Sequence, residues 1–160
     1  MTEVLQNLND NLKKQVSLYG KLLSLEKRKQ RALLANNLQE IEVATGLEEQ
    51  LLLEAGHLER ERLAWAEQIG RALGKTPEDL TLAELAEHFP LLQEVRQELE
   101  GVVGGLKEIH ELNSQLLQQA MKIVDFTLGM ITHQEKSTYT YPGRKEKDGN
   151  KSVHLLDWRV

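Results

Sequence analysis

The sequence predicts an all-α fold. It is an elongated antiparallel bundle of three long helices plus one short connecting helix, with coiled-coil-like packing and an extended C-terminal tail. Three observations predict it. Leu, Glu, Gln, Ala, Lys and Arg dominate the 160 residues, and aromatics make up only 4%. That composition belongs to long helices with a narrow aliphatic core rather than to sheets. Apolar residues recur at three- and four-residue steps over most of the chain, the period of one helix face. Helix-breaking residues cluster at Asn36-Asn37, at Gly74 with Pro77, and at Pro90, so the segments between them can run uninterrupted.

The first helix is expected from about Glu3 to Ala35, on a stripe of Leu5, Leu8, Leu12, Val16, Tyr19, Leu22, Leu23 and Leu33. The run Glu26 to Arg31, "EKRKQR", interrupts that stripe. It reads as a solvated face near the helix end, where cations suit the macrodipole. Asn36-Asn37 is the break, because Asn tolerates the left-handed backbone that closes a helix. The second helix is expected over Leu38–Leu73, with Ile41, Ala44, Leu47, Leu51, Ala55, Leu58, Trp65, Ile69 and Leu73 on its face and Gly74 as C-cap. Thr76-Pro77 is a helix-start signal. Thr81 with Glu84 makes a capping box, so a short helix is expected over Leu82–His88.

The last helix is expected from Leu91 to Lys136 and carries the clearest pattern. Leu92, Val95, Leu99, Val102, Leu106, Ile109, Asn113, Leu116, Ala120, Ile123, Thr127 and Met130 form an unbroken heptad seam. A second column, Val103, His110, Leu117, Val124 and Ile131, repeats every seven residues beside it. Two columns make a stripe broad enough for two neighbours, hence a three-helix bundle. At the α-helical rise this helix would be roughly 65 Å long against roughly 50 Å for the first two. It therefore overhangs them, and overhanging apolar surface needs a cover. Asn113 stands in the seam where an aliphatic is expected. It either sets register inside the bundle or contacts a partner helix. Gly101, Gly104 and Gly105 each cost about 1 kcal/mol against Ala. Their presence reads either as close packing through Gly101 and Gly105 or as a hinge that bends the helix around a partner.

Charge and motifs narrow the function. The net charge is −5, which argues against a dedicated nucleic-acid binder. It is uneven: residues 133–160 hold six Lys/Arg against four Asp/Glu, and the rest hold fourteen against twenty-one. There is no cysteine, so disulfides, thiolate metal sites and thiol catalysis are excluded. The opening "MTEVLQNLND" has neither a basic start nor an apolar run, so no signal peptide is expected. No apolar stretch approaches the roughly 20 residues of a membrane span, and a cytoplasmic protein is expected. Neither phosphate-binding nor nucleophile-elbow nor zinc-protease motifs occur. Glu54 and His57 have the spacing of a di-iron helix, but no second such pair accompanies them. No catalytic residue, metal ligand or cofactor is expected. His133 with Lys136 has the imidazole–cation spacing of a histidine phosphotransfer bundle, but at a helix end, where preorganisation is poor.

The tail, Ser137 to Val160, holds three of the chain's seven aromatic residues, Tyr139, Tyr141 and Trp158. A frayed end would be small and polar, so the tail reads as a docking segment (137–160) on a helical domain (1–136). Its last stretch offers Val153, Leu155, Leu156 and Trp158, which could cover the chain's own apolar groove until a partner displaces them.

"LERER" (Leu58 to Arg62), "ELNSQLL" (Glu111 to Leu117) and "TYTYPG" (Thr138 to Gly143) follow in that order. In that order, with this helix layout, the chain resembles the flagellar export chaperones of the FlgN type, which escort the hook-associated proteins of the hook–filament junction. The resemblance implies a non-enzymatic chaperone of the flagellar type III secretion system. It would bind the C-terminal helical segment of a hook-associated protein, prevent premature assembly and deliver it to the export gate. Carried over by motif, client binding falls on Asn113, Leu116, Leu117, Ala120, Ile123 and Val124. Docking to the cytoplasmic domain of the gate falls on Tyr139, Tyr141 and Gly143. Tyr141-Pro142 inside the tyrosine motif departs from the family pattern and leaves open which tyrosine docks. Two other functions fit a helical chain of this kind: a structural coiled-coil adaptor acting by self-association, and the phosphotransfer bundle. Homo-oligomerisation is left open.

Overall fold

The computed structural model describes residues 1–132. They form α1 (Thr2–Leu34), α2 (Leu38–Leu73), α3 (Leu82–His88) and α4 (Gln93–Thr132), with single 3-10 turns at Pro77–Asp79 and Pro90–Leu92. Among the described residues there is no strand. The three long helices run up, down and up. The expected bundle is therefore present, with helix ends within two residues of expectation where the structure describes them.

Local chemistry sets those ends. Asn36 adopts a left-handed backbone, φ 52°, and its neighbour Asn37 accepts the Glu40 N–H at 3.2 Å as N-cap of α2. Arg28 of α1 pairs with Glu40 across this turn. Gly74 closes α2 at φ 67°, and the Lys75 N–H returns to the Gly70 carbonyl at 2.9 Å. That return brings the Lys75 carbonyl so close that a Cβ on Gly70 would lie 2.6 Å from it, so only glycine fits there. Thr81 and Glu84 form the expected reciprocal capping box on α3, which satisfies two of the four donors a helix start leaves unpaired.

The core lies at the closed end, where α3 caps the bundle. Leu5, Leu8 and Leu12 of α1 meet Ala66 and Ile69 of α2, Leu82 and Leu85 of α3, and Leu92, Val95 and Leu99 of α4. α1 is the helix flanked by both other long helices, and α2 and α4 approach each other less closely. The second column of α4 accordingly does not seal a further interface beyond Val103; His110, Leu117, Val124 and Ile131 stay exposed.

Two further expectations need correction. "EKRKQR" is not a solvated face throughout. Glu26 is buried, and Lys29 reaches into the bundle to Glu26 at 3.5 Å and Glu48 at 3.1 Å. A long side chain can enter this way because its charge meets two carboxylates there. The packing reading of the α4 glycines also fails. A Cβ at Gly101 or Gly104 would meet nothing within 4 Å, and at Gly105 only Leu23 at 3.6 Å, an ordinary contact.

Candidate functional site

The heptad seam of α4 changes character along its length. Leu92, Val95 and Leu99 are sealed, and Ile109 and Asn113 remain buried. Leu116 and Ala120 are half-buried. Beyond them the seam opens: Ile123 is 66% exposed and Met130 64%. Phe126 and Ile131, each 70% exposed, lie beside it.

The cause is a mismatch of length. Asn113 of α4 sits level with Glu26 of α1, to which it is hydrogen-bonded. α1 continues only eight residues further, to Leu34. It therefore ends level with about residue 121 of α4. Residues 122–132 then project roughly 17 Å beyond the α1–α2 turn at the helical rise. At the same end, Leu34 and Leu38 flank the turn and are themselves exposed. The predicted overhang thus exists as an apolar end of α4 near a turn flanked by two exposed leucines. Monomeric proteins rarely expose contiguous apolar surface of this kind unless it serves an interaction.

A buried polar layer marks the inner border of this surface. Asn113 donates from Nδ2 to the Glu26 carbonyl at 2.8 Å and to Glu26 Oε2 at 2.6 Å. Its Oδ1 has no partner among the described residues. His110 Nδ1 lies 3.8 Å from Glu26 Oε1. Burial would push the Glu26 carboxyl up, but the His110 imidazole, the Glu48 carboxyl, the hydrogen-bonded Asn113 amide and the Lys29 charge outweigh it and hold it down. Glu48 goes the other way. Burial first, then the neighbouring Glu26 carboxylate, raise it, against the pull of Lys29. The His110 imidazole is raised chiefly by the Glu26 carboxylate that it faces. The layer thus joins all three long helices, and a polar group in an apolar seam fixes register.

Of the residues the sequence nominated, Leu116, Leu117, Ala120, Ile123 and Val124 lie on the opening stretch. Asn113 is only 3% exposed and points into the bundle, so here it sets register. Tyr139, Tyr141 and Gly143 lie outside the described residues, as do His133 and Lys136. Sequence reasoning did not single out Phe126, although it stands at i+3 from Ile123. It also missed the inward Glu26, Lys29 and Glu48, whose charges disguise them as surface. Glu54 and His57 are both exposed, and His57 Nε2 faces Glu61 Oε1 at 3.4 Å. No group of three or more His, Cys, Asp and Glu among the described residues could hold a metal ion. No described helix is long and apolar enough to cross a membrane.

The "LERER" stretch holds α1 to α2. Leu58 is buried, and its carbonyl accepts from Asn11 Nδ2 at 3.1 Å. Glu61 accepts from the same amide at 3.1 Å. Arg62 is buried against Glu59, with Nε–Oε2 at 2.9 Å. A buried arginine is tolerable only with such a partner.

A family model described as FlgN protein matches residues 1–147, a span that takes in the bundle together with Tyr139, Tyr141 and Gly143. No curated protein and no solved structure matches the chain.

Proposed function

The chain belongs to the FlgN protein family, and from that premise we propose that it carries hook-associated proteins to the flagellar export gate, gripping each by its C-terminal segment on the open end of α4. The family's general role is that of a flagellar export chaperone, not of an enzyme. The finer reading rests on one observation: a single heptad seam whose residues are buried or half-buried as far as Ala120 and exposed from Ile123 on.

An amphipathic client helix would lay its i, i+3, i+4 and i+7 anchors along this open stretch. Leu116, Leu117, Ala120, Ile123 and Val124 are its proposed contacts, with Phe126 added. Asn113 acts from behind by holding α4 in register. Full burial of an Ile or Phe side chain is worth about 1.5–3 kcal/mol. Ile123 and Phe126 have roughly two-thirds of that still to gain. Holding the client lowers the free concentration available for premature assembly, an effect of mass action in the cytoplasm. Delivery is proposed to fall to the tail, through Tyr139, Tyr141 and Gly143, with the cytoplasmic domain of the gate as receptor.

The test is calorimetric titration of the full chain with a hook-associated protein. Ile123→Ser with Phe126→Ser should weaken binding by about 30-fold or more, since about 2–4 kcal/mol is lost. Tyr139→Ala should leave client binding intact and weaken binding of the gate domain. Client affinity unchanged in the double variant would overturn the site. A permanent homo-oligomer that binds no client would favour the structural adaptor instead.

A further inference from the structure

A second one-sided surface lies on a different helix. Between Lys13 and Arg31, the residues of α1 exposed to solvent are five cations, Lys13, Lys14, Lys21, Lys27 and Arg31, and two serines, Ser17 and Ser24. No exposed carboxylate interrupts them, because Glu26 points into the bundle. At the helical rise the row is about 27 Å long. The neighbouring cations are matched: Arg28 pairs with Glu40, and Lys29 with Glu26 and Glu48. The five exposed ones have no ion-pair partner among the described residues.

This is unexpected on an acidic chain. Residues 1–132 carry twenty-one carboxylates against fourteen Lys and Arg. α2 alone has eight glutamates against three arginines. An ordinary solvated face mixes both signs, and like charges set close along a helix are mildly destabilising. The row weakens the isolated chain, and no partner for it lies among the described residues.

We propose that this face of α1 is a docking rail for an acidic helical segment of a partner protein. Its chemistry selects against other anions. No apolar or aromatic side chain is exposed between Lys13 and Arg31, so nothing would insert into a lipid surface, as interfacial helices do. A nucleic-acid duplex is broad and would meet the acidic α2 and α4 on either side, whereas a single helix is only about 10 Å across. Ser17, Gly20 and Ser24 keep the middle of the face low. Lys14 and Lys21 stand seven residues apart, as do Ser17 and Ser24, so glutamates at heptad spacing on the partner fall in step with the row. The surface shares no residue with the apolar end of α4. A partner could therefore engage the chain while the client site is occupied, and the inference stands or falls independently of the client reading.

The test uses the full chain and a fluorescent synthetic helical peptide about three heptads long, with glutamates on one face. The control is the same peptide with glutamine in their place. The wild-type chain should prefer the glutamate peptide by about tenfold or more at low salt. That preference should fade between about 50 and about 200 mM salt. Lys14→Glu, Lys21→Glu and Lys27→Glu together should abolish it, and the corresponding glutamine variants should reduce it. Client affinity should not change, and the melting temperature should not fall, since the substitutions relieve like-charge repulsion along the helix. Equal affinity for the two peptides would overturn the proposal, as would a preference that survives charge reversal. Tighter binding to phosphatidylglycerol vesicles or to a short RNA duplex than to the glutamate peptide would overturn it too.

Discussion

Gly101 and Gly104 interrupt α4 with nothing to contact. An added Cβ at either would find no atom within 4 Å, so alanine at both introduces no clash. Each replacement removes backbone freedom from the unfolded chain and gains about 1 kcal/mol of helix propensity. The double variant Gly101→Ala, Gly104→Ala should therefore be about 2 kcal/mol more stable than the wild type. For a chain of this size that corresponds to a rise of about 4–8 °C in melting temperature. In urea the midpoint should rise by about 1 M, taking a slope of about 2 kcal/mol per M. Gly70→Ala supplies the contrast. There the new Cβ would lie 2.6 Å from the Lys75 carbonyl oxygen, and the midpoint should fall despite the same gain in propensity. A double variant no more stable than the wild type would refute the reasoning, because α4 would then not run as open helix through these positions. The same protein also decides what the glycines do. If they let α4 bend around a client, the stiffened chain binds it more weakly while melting higher. Unchanged affinity removes the hinge.

Two other outcomes follow from burial and charge. Leu99→Ala removes a side chain with 0% exposure and should cost about 2–5 kcal/mol in urea denaturation. Ile123→Ala, on the same heptad seam, should change stability by less than about 0.5 kcal/mol. Stability should also decline as pH rises through neutrality. Glu48 holds its proton more tightly in the folded chain than at its ordinary 4.5. Its contribution is complete below that value and is lost as pH rises through the raised one. His110, raised above 6.5, acts in the same direction. Glu26, held below 4.5, acts oppositely, and its contribution is lost as pH falls. Melting curves between about pH 5 and about pH 8 should show the decline, and Glu48→Gln should flatten it.

Features written in a few adjacent residues were legible in the sequence. Asn36-Asn37, Gly74 and the Thr81–Glu84 box each close or open a helix through bonds within five residues, so no tertiary information was needed. The α4 seam was legible for a related reason: its period depends on one helix alone. Whether a stretch of that seam is sealed depends on where α1 stops, eight residues past Glu26. That level is fixed by Asn113 meeting a residue 87 positions away, which no local pattern encodes. Glu26, Lys29 and Glu48 escaped for a different reason. Charged residues are read as surface, and only the three-helix geometry shows that they satisfy one another inside. Phe126 belongs to neither apolar column, and it becomes notable only once α4 is seen to outrun its neighbours.

The most direct test of the account is hydrogen exchange on the full chain, with and without a hook-associated protein bound. Slowed exchange should appear over residues 116–132 and leave the closed end around Leu8, Ile69 and Leu92 unchanged. Protection elsewhere, with the projecting turns of α4 as exposed as before, would contradict it.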